Sequence, residues 1–155
     1  MQKQSEQARN LDIEFVSFSV ANQKYCLEIT QVREIRRWSP VTVLPHAPID
    51  VLGVMNLRGS VIPIYDLAAR FGLGRTKAGE RNVIIVSAIR EKMVGLLVEA
   101  VSEIISVKAD SIQETPDVQS DATRECIEGI ISLDSEMARV INLDTVINTP
   151  DKVLS

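Results

Sequence analysis

The sequence predicts a mainly β protein built as two small five-stranded barrels packed side by side, with a few short helices. Three observations lead there. The 155-residue chain carries 18 valines and 17 isoleucines against three phenylalanines, two tyrosines and one tryptophan. Side chains branched at Cβ suit a pleated strand and lose rotamer freedom in a helix. Short apolar runs are punctuated by polar and glycine-containing turns, as strands joined by hairpins are. The same succession of runs and turns then occurs a second time along the chain.

Taken in order, residues 1–11 are polar and read as a disordered tail. Residues 14–20 read as a strand, 21–24 as a turn and 25–29 as a second strand, together a hairpin. Thr30 is placed to cap a short helix over 31–36, with Val32 and Ile35 on one side. Residues 41–44 make a short strand that Pro45 ends. One helical turn fits 49–52. Residues 53–59 and 60–65 form a second hairpin bent at Arg58-Gly59, where Pro63 marks an edge or a bulge. Asp66 opens a short helix that Gly72 closes. Residues 72–81 are glycine-rich and basic, without apolar period, and read as a linker.

After the linker the pattern restarts, with a strand over 82–89, a turn at Glu91-Lys92 and a strand over 93–98. A shift of 69 positions places Leu27 on Leu96, Val32 on Val101, Glu34 on Glu103 and Ile35 on Ile104. A shift of 76 places Gly53 on Gly129, Leu57 on Leu133 and Leu67 on Leu143. The added seven positions fall in the polar stretch 108–125. The order of these matches, more than their number, indicates an internal duplication. Barrel subdomains of roughly 12–78 and 79–148 follow, with strand exchange between them left open, and 149–155 as a tail. Units this small bury only about 60% of their unfolded surface. They are therefore expected to share an apolar layer, with a groove along the seam.

Composition excludes several functions. A formal charge of −4 argues against a polyphosphate partner, and six aromatic residues are too few for a nucleic-acid stacking platform. There is no apolar run of about 20 residues to span a bilayer and no export signal, so a cytoplasmic protein with reduced Cys26 and Cys126 is expected. His46, the single histidine, has no metal-spaced neighbours. Gly72-Leu73-Gly74 with Gly79 follows a helix and precedes a strand, the reverse of a phosphate loop. Asp66 and Asp144 end corresponding strands, where a helix start already explains an acid. Neither catalysis nor a cofactor has support in these residues. Arg58 differs, as a full charge at the bend of an apolar hairpin. Glu34 is a plausible ion partner for it, and exposed pairs contribute only about 0–1 kcal/mol to stability.

The stretch Gly53-Val54-Met55-Asn56-Leu57-Arg58-Gly59-Ser60-Val61-Ile62-Pro63-Ile64-Tyr65-Asp66-Leu67 resembles the signature hairpin of the CheW family of bacterial chemotaxis coupling proteins. Val32-Arg33-Glu34-Ile35, the strand Asn82-Val83-Ile84-Ile85-Val86 and the run from Gly95 to Ile104 fall in the family's order and spacing. The likeness covers about residues 13–148. It implies two SH3-like barrels, no catalytic activity and no cofactor. The implied partners are the cytoplasmic tips of chemoreceptors and the regulatory domain of the histidine kinase CheA, itself CheW-like. The implied place is the cytoplasm, at membrane-bound receptor arrays with kinase–coupler rings, without membrane insertion.

By the same resemblance Asn56, Leu57, Arg58, Val83, Gly95, Val98, Val101 and Ile104 form a receptor-facing groove. Val32, Glu34, Val41 and Gly53 make or support the main kinase contact. Glu34 equally suits an anchor for Arg58, so the two surfaces are not sharply divided. Gln113 and Val118 stand where the family's second kinase contact often has a basic and an aromatic residue. The implied mechanism is a receptor helix laid in an aliphatic groove and oriented by Arg58 through an acid. A CheW-like scaffold of another sensory or motility pathway is the alternative.

Overall fold

A computed structural model describes residues 11–77, 79, 81–115 and 125–147. Valines 118 and 153 and both predicted tails, apart from Leu11, lie outside them. The described strands are β1 (Asp12–Val20), β2 (Gln23–Glu28), β3 (Val32–Arg37), β4 (Val51–Leu57), β5 (Ser60–Asp66), β6 (Val83–Ile89), β7 (Lys92–Val98), β8 (Ala100–Lys108), β9 (Ile127–Ser132) and β10 (Met137–Ile141). Two short helices, α1 (Leu67–Arg70) and α2 (Leu143–Ile147), follow β5 and β10.

The hairpins form where sequence places them, with turns that take the left-handed backbone a two-residue loop needs. Ala21-Asn22 and Arg58-Gly59 all have positive φ, the geometry whose twist matches a two-residue hairpin loop. Asp66 caps α1 by accepting from the Ala68 N–H at 3.1 Å. Under the 76-position shift its counterpart is Asn142, which accepts from the Thr145 N–H at 3.3 Å. The cap thus repeats through Asn142, and Asp144 is not the equivalent of Asp66.

Three local expectations are corrected. Residues 31–36 are not a helix: a 3-10 turn, Ile29–Gln31, leads into β3. In β3, Val32, Glu34 and Arg36 are half-buried, while Arg33, Ile35 and Arg37 are exposed. Antiparallel pairing with β6 imposes this two-residue period and separates Val32 from Ile35, overriding the helical spacing. Residues 41–44 contribute one bridge, Thr42 to Val54, instead of a strand. Residues 51–52 open β4 and are not helical.

The strands assemble into two five-stranded sheets, ordered β8-β1-β2-β10-β9 and β3-β6-β7-β5-β4. Under the duplication β1 and β6 correspond, as do β2 and β7, β3 and β8, β4 and β9, and β5 and β10. Substituting each strand by its counterpart turns one order into the other. Each sheet nevertheless takes a hairpin from the opposite half, so the sheets do not divide at residues 78 and 79. One is built from a continuous stretch, β3 to β7. The other combines β1 and β2 with β8, β9 and β10 from beyond it.

Each sheet curls, and the chain leaving one edge strand is tied to the other edge. After β3, Thr42 exchanges two 2.8 Å backbone hydrogen bonds with Val54 on β4. After β8, Gln113 exchanges bonds of 2.9 and 2.8 Å with Ile130 on β9. Both closures cross a glycine. A Cβ on Gly53 would overlap the Thr42 carbonyl, and one on Gly129 would lie 2.6 Å from Ile112 Cγ2.

Three apolar clusters result. Met55, Leu57, Ile62, Ile64, Ile84, Val86 and Leu97 fill one barrel, with half-buried Trp38, Val41 and Leu52 against them. Phe15, Cys26, Ile131, Ala138 and Val140 fill the other. The largest lies at the seam and draws on both sheets and both helices, including Phe18, Tyr25, Phe71, Leu96, Ile141 and Leu143. Tyr25 stacks on Phe71 with ring centroids 4.9 Å apart. Arg70, itself buried, donates to the Val146 and Thr145 carbonyls at 3.2 and 3.1 Å, clasping α1 to α2 beside buried Asp50.

Phe71→Ala, which empties the seam, should cost about 3–5 kcal/mol. Urea unfolding followed by Trp38 fluorescence, which reports one barrel, and by far-ultraviolet circular dichroism should give coincident transitions in wild type and mutant. Separate transitions would mean that the sheets fold independently.

Candidate functional site

The site grows out of the β4–β5 turn. Asn56 fixes the turn by accepting from the Gly59 N–H through Oδ1 at 3.0 Å. Leu57 faces inward and is buried, so the next side chain is turned outward. That residue, Arg58, has φ +51°. A left-handed conformation costs a residue with a Cβ about 1–2 kcal/mol, whereas glycine adopts it freely. Arg58 is 74% exposed and donates from Nη2 to Glu34 Oε2 at 2.9 Å. The other Glu34 oxygen, Oε1, accepts from Arg36 Nη1 at 3.0 Å.

This ion pair spans the barrel. Glu34 lies on edge strand β3, and Arg58 ends the opposite edge strand's hairpin. In a flat five-stranded sheet those edges would stand about 19 Å apart, so the contact exists only because the sheet has closed. One carboxylate between two guanidiniums leaves a net positive charge. Arg58 keeps most of its five donors for an acidic group from outside.

The remaining predicted residues separate by burial. Of the receptor-facing set, Asn56, Arg58 and Ile104 are exposed, and Val83 and Val101 are half-buried against the seam cluster. Leu57, Gly95 and Val98 are buried and pack inside the protein. A Cβ on Gly95 would sit 2.5 Å from Ile64 Cδ1. Val83 pairs with Val98, and Glu34 with Val86 three residues along β6, which sets the ion pair about 10 Å from Val83 along the strand.

Of the kinase-facing set, Val32 packs on the seam and Val41 on the barrel core. Buried Gly53 leaves room for the Thr42 carbonyl at the barrel closure, and exposed Gln113 bridges Ile130 in the other closure, where it stands as Thr42 does in this one. Val118 lies outside the described residues.

Two contributors went unread in the sequence. Arg36 shares Glu34, a relation apparent only once 32–37 is a strand and alternate residues share a face. Val61, opposite Asn56 in the hairpin, is 66% exposed and adds an apolar surface beside Arg58. The alternation of Ile62 and Ile64 inward was its signal.

The candidates for chemistry are otherwise engaged. Asp66 Oδ1 accepts from Ala68 N–H and from the Thr76 hydroxyl at 2.6 Å, while Oδ2 accepts from Thr76 N–H at 2.8 Å. Burial, with the charge of Glu128 adding to it, pushes the Cys26 thiol up to about 12, so it carries no thiolate at neutral pH. Cys26 and Cys126 are both buried and not joined by a disulfide. His46 is exposed on the loop between β3 and β4.

The CheW-like domain model of protein families matches residues 14–151. The chain belongs to the CheW-like domain family. This CheW-like chain is 47% identical over 135 residues to the probable chemotaxis protein CheW of Rhizobium etli, covering 87% of each. It is 44% identical over 139 residues to the chemotaxis protein CheW of Rhizobium meliloti, covering 90% of each. Among solved structures, the scaffolding protein TtCheW of Thermoanaerobacter tengcongensis matches with a TM-score of 0.82 at 33% identity, over 90% of each chain. The mainly β class with two SH3-like subdomains holds for the CheW-like chain accordingly.

Arg58→Gly should leave stability within about 1 kcal/mol of wild type, since relief of the left-handed residue offsets the lost exposed pair. Gly53→Ala should cost about 1–3 kcal/mol through the clash at the closure. Thermal or denaturant unfolding of the two variants checks the contrast.

Proposed function

We propose that the chain is a non-catalytic coupler joining the cytoplasmic tips of chemoreceptors to the regulatory domain of the histidine kinase CheA, working in the cytoplasm at receptor arrays. The observation that supports this reading is Arg58: a guanidinium left 74% exposed and held by Glu34 across the closure of the barrel.

Arg58 orients a receptor helix by pairing with one of its acids, while Val61, Val83, Val101 and Ile104 offer apolar contact. Glu34 keeps the guanidinium pre-aimed, which reduces the ordering cost on binding. The kinase domain docks near the β3–β4 side of the barrel, where Val32, Val41 and Gly53 support the surface. Gln113 and Val118 belong to a second kinase contact that would extend pairs into rings. Signal passes because both partners sit in one assembly whose states differ in their contacts.

The test is affinity measured for each partner separately. Arg58→Ala should weaken binding of a receptor cytoplasmic fragment about tenfold or more, a loss of about 1.4 kcal/mol, with kinase-domain binding and circular dichroism unchanged. Glu34→Gln should weaken receptor binding less. Undiminished receptor capture by a folded Arg58→Ala would sink the role of Arg58. Failure of the wild-type chain to bind either partner would sink the coupler reading itself.

A further inference from the structure

The segment joining α1 to β6 reads in sequence as a plain linker, yet several of its described residues line two cavities. One, about 490 Å³, is lined by Arg75, Lys77 and Arg81 from the linker, with Ala21 and Glu99 across from them. The second, about 470 Å³, shares Arg81 and Asn82 with the first and is completed by Arg37, Trp38 and Val83. The two cavities adjoin at Arg81 and Asn82, and together they are called the cleft.

The cleft is held in shape from below. Asp66 binds Thr76 twice. Asn82, 8% exposed, accepts from the Gly79 N–H at 2.8 Å and donates to the Val98 carbonyl at 3.2 Å. The cations around the rim are left to solvent. Among the described residues, no acid lies in ion-pair contact with Arg37, Arg75, Lys77 or Arg81. Glu99, on the wall, accepts from the Asn22 N–H at 2.8 Å and is the one acid in that lining, against Arg75, Lys77 and Arg81. Trp38 keeps its indole Nε1 buried without an acceptor. Among the described residues, a chain of net charge −4 thus sets four cations against one acid around these cavities.

We propose that this cleft is the electrostatic part of the receptor-docking site, receiving an acid-bearing flank of the receptor helix whose apolar flank lies on Val83. This deepens the coupler reading and rests on it. Continuity favours the occupant, since Val83 belongs to both the cleft and the proposed groove. Charge complementarity favours it as well. A concave site on an acidic protein suits an acidic protein segment better than a flat anionic membrane.

Cations at the rim of an interface act mainly by steering encounter. The Arg75→Glu, Arg81→Glu double variant should therefore bind a receptor cytoplasmic fragment with an association rate roughly tenfold lower, a flatter salt dependence and a nearly unchanged dissociation rate. Arg75→Gln with Arg81→Gln should fall between, which guards against a folding defect in the reversed pair. Arg33→Glu, an exposed β3 residue outside the cleft, should leave the rate unchanged. Lysine substitutions at acids of the receptor helix should restore binding to the double variant.

Unchanged association by the folded double variant, alongside normal wild-type binding, would overturn this inference and leave the coupler reading standing. No wild-type binding at all would remove the coupler reading and this inference with it. Loss of binding to inorganic phosphate or to phosphatidylglycerol vesicles, with receptor association intact, would reassign the cleft and overturn the proposal.

Discussion

Everything else in this molecule depends on the apolar seam where the two sheets meet. Phe18, Tyr25 and Ile141 from one sheet meet Ile85, Leu96 and Val98 from the other, with Leu67, Phe71, Leu143 and Val146 of the two helices set among them. The barrel interiors hold fewer buried residues, and one contains only Phe15 as a large aromatic. A barrel of five short strands cannot enclose enough apolar surface to stand well alone. The seam supplies what each interior lacks. It also explains the buried Arg70, whose guanidinium donates to two carbonyls in the last turn of α2.

Barrel closure and the exposed site are one problem solved at one place. The edges of a curled sheet need partners, and the bridge at Thr42 and Val54 supplies backbone pairing at one end. The Glu34–Arg58 pair joins the same two edges through side chains. It contributes little to stability, being exposed, so its value lies in where it leaves the guanidinium. The other barrel has the matching bridge at Gln113 but Asp134 where Arg58 would stand. Duplication therefore kept the architecture in both halves and the cation in one.

Much of this was legible in the residues, and the gaps have physical causes. Hairpins and caps are local, so the Arg58-Gly59 bend and the Asp66 cap could be read directly. Residues 32–37 misled because Val32 and Ile35 satisfy a helical spacing, and only their partner β6 imposes a strand. The hairpin exchange was invisible for a different reason. Two equivalent halves present equivalent strand edges, so β1–β2 can complete either set with nearly the same contacts, and no local signal distinguishes the outcomes. For the site, Arg58 stood out as a charge in apolar surroundings. Leu57, Gly95 and Val98 enter the groove through the resemblance alone, and matching positions along a strand do not tell which face turns inward.

The exchange also orders events during synthesis. The hairpin β1–β2 is made first, but its sheet is completed by β8, β9 and β10, which are made last. The sheet formed from β3 to β7 is complete in sequence before them, and until they arrive its seam side, with Leu96 and Phe71, has only the β1–β2 hairpin to cover it. The growing chain thus passes through an interval in which one sheet exists with a greasy flank and the other is a lone hairpin. Contacts between such distant segments form slowly, which makes that interval the period when the protein is most exposed to aggregation and most in need of a chaperone.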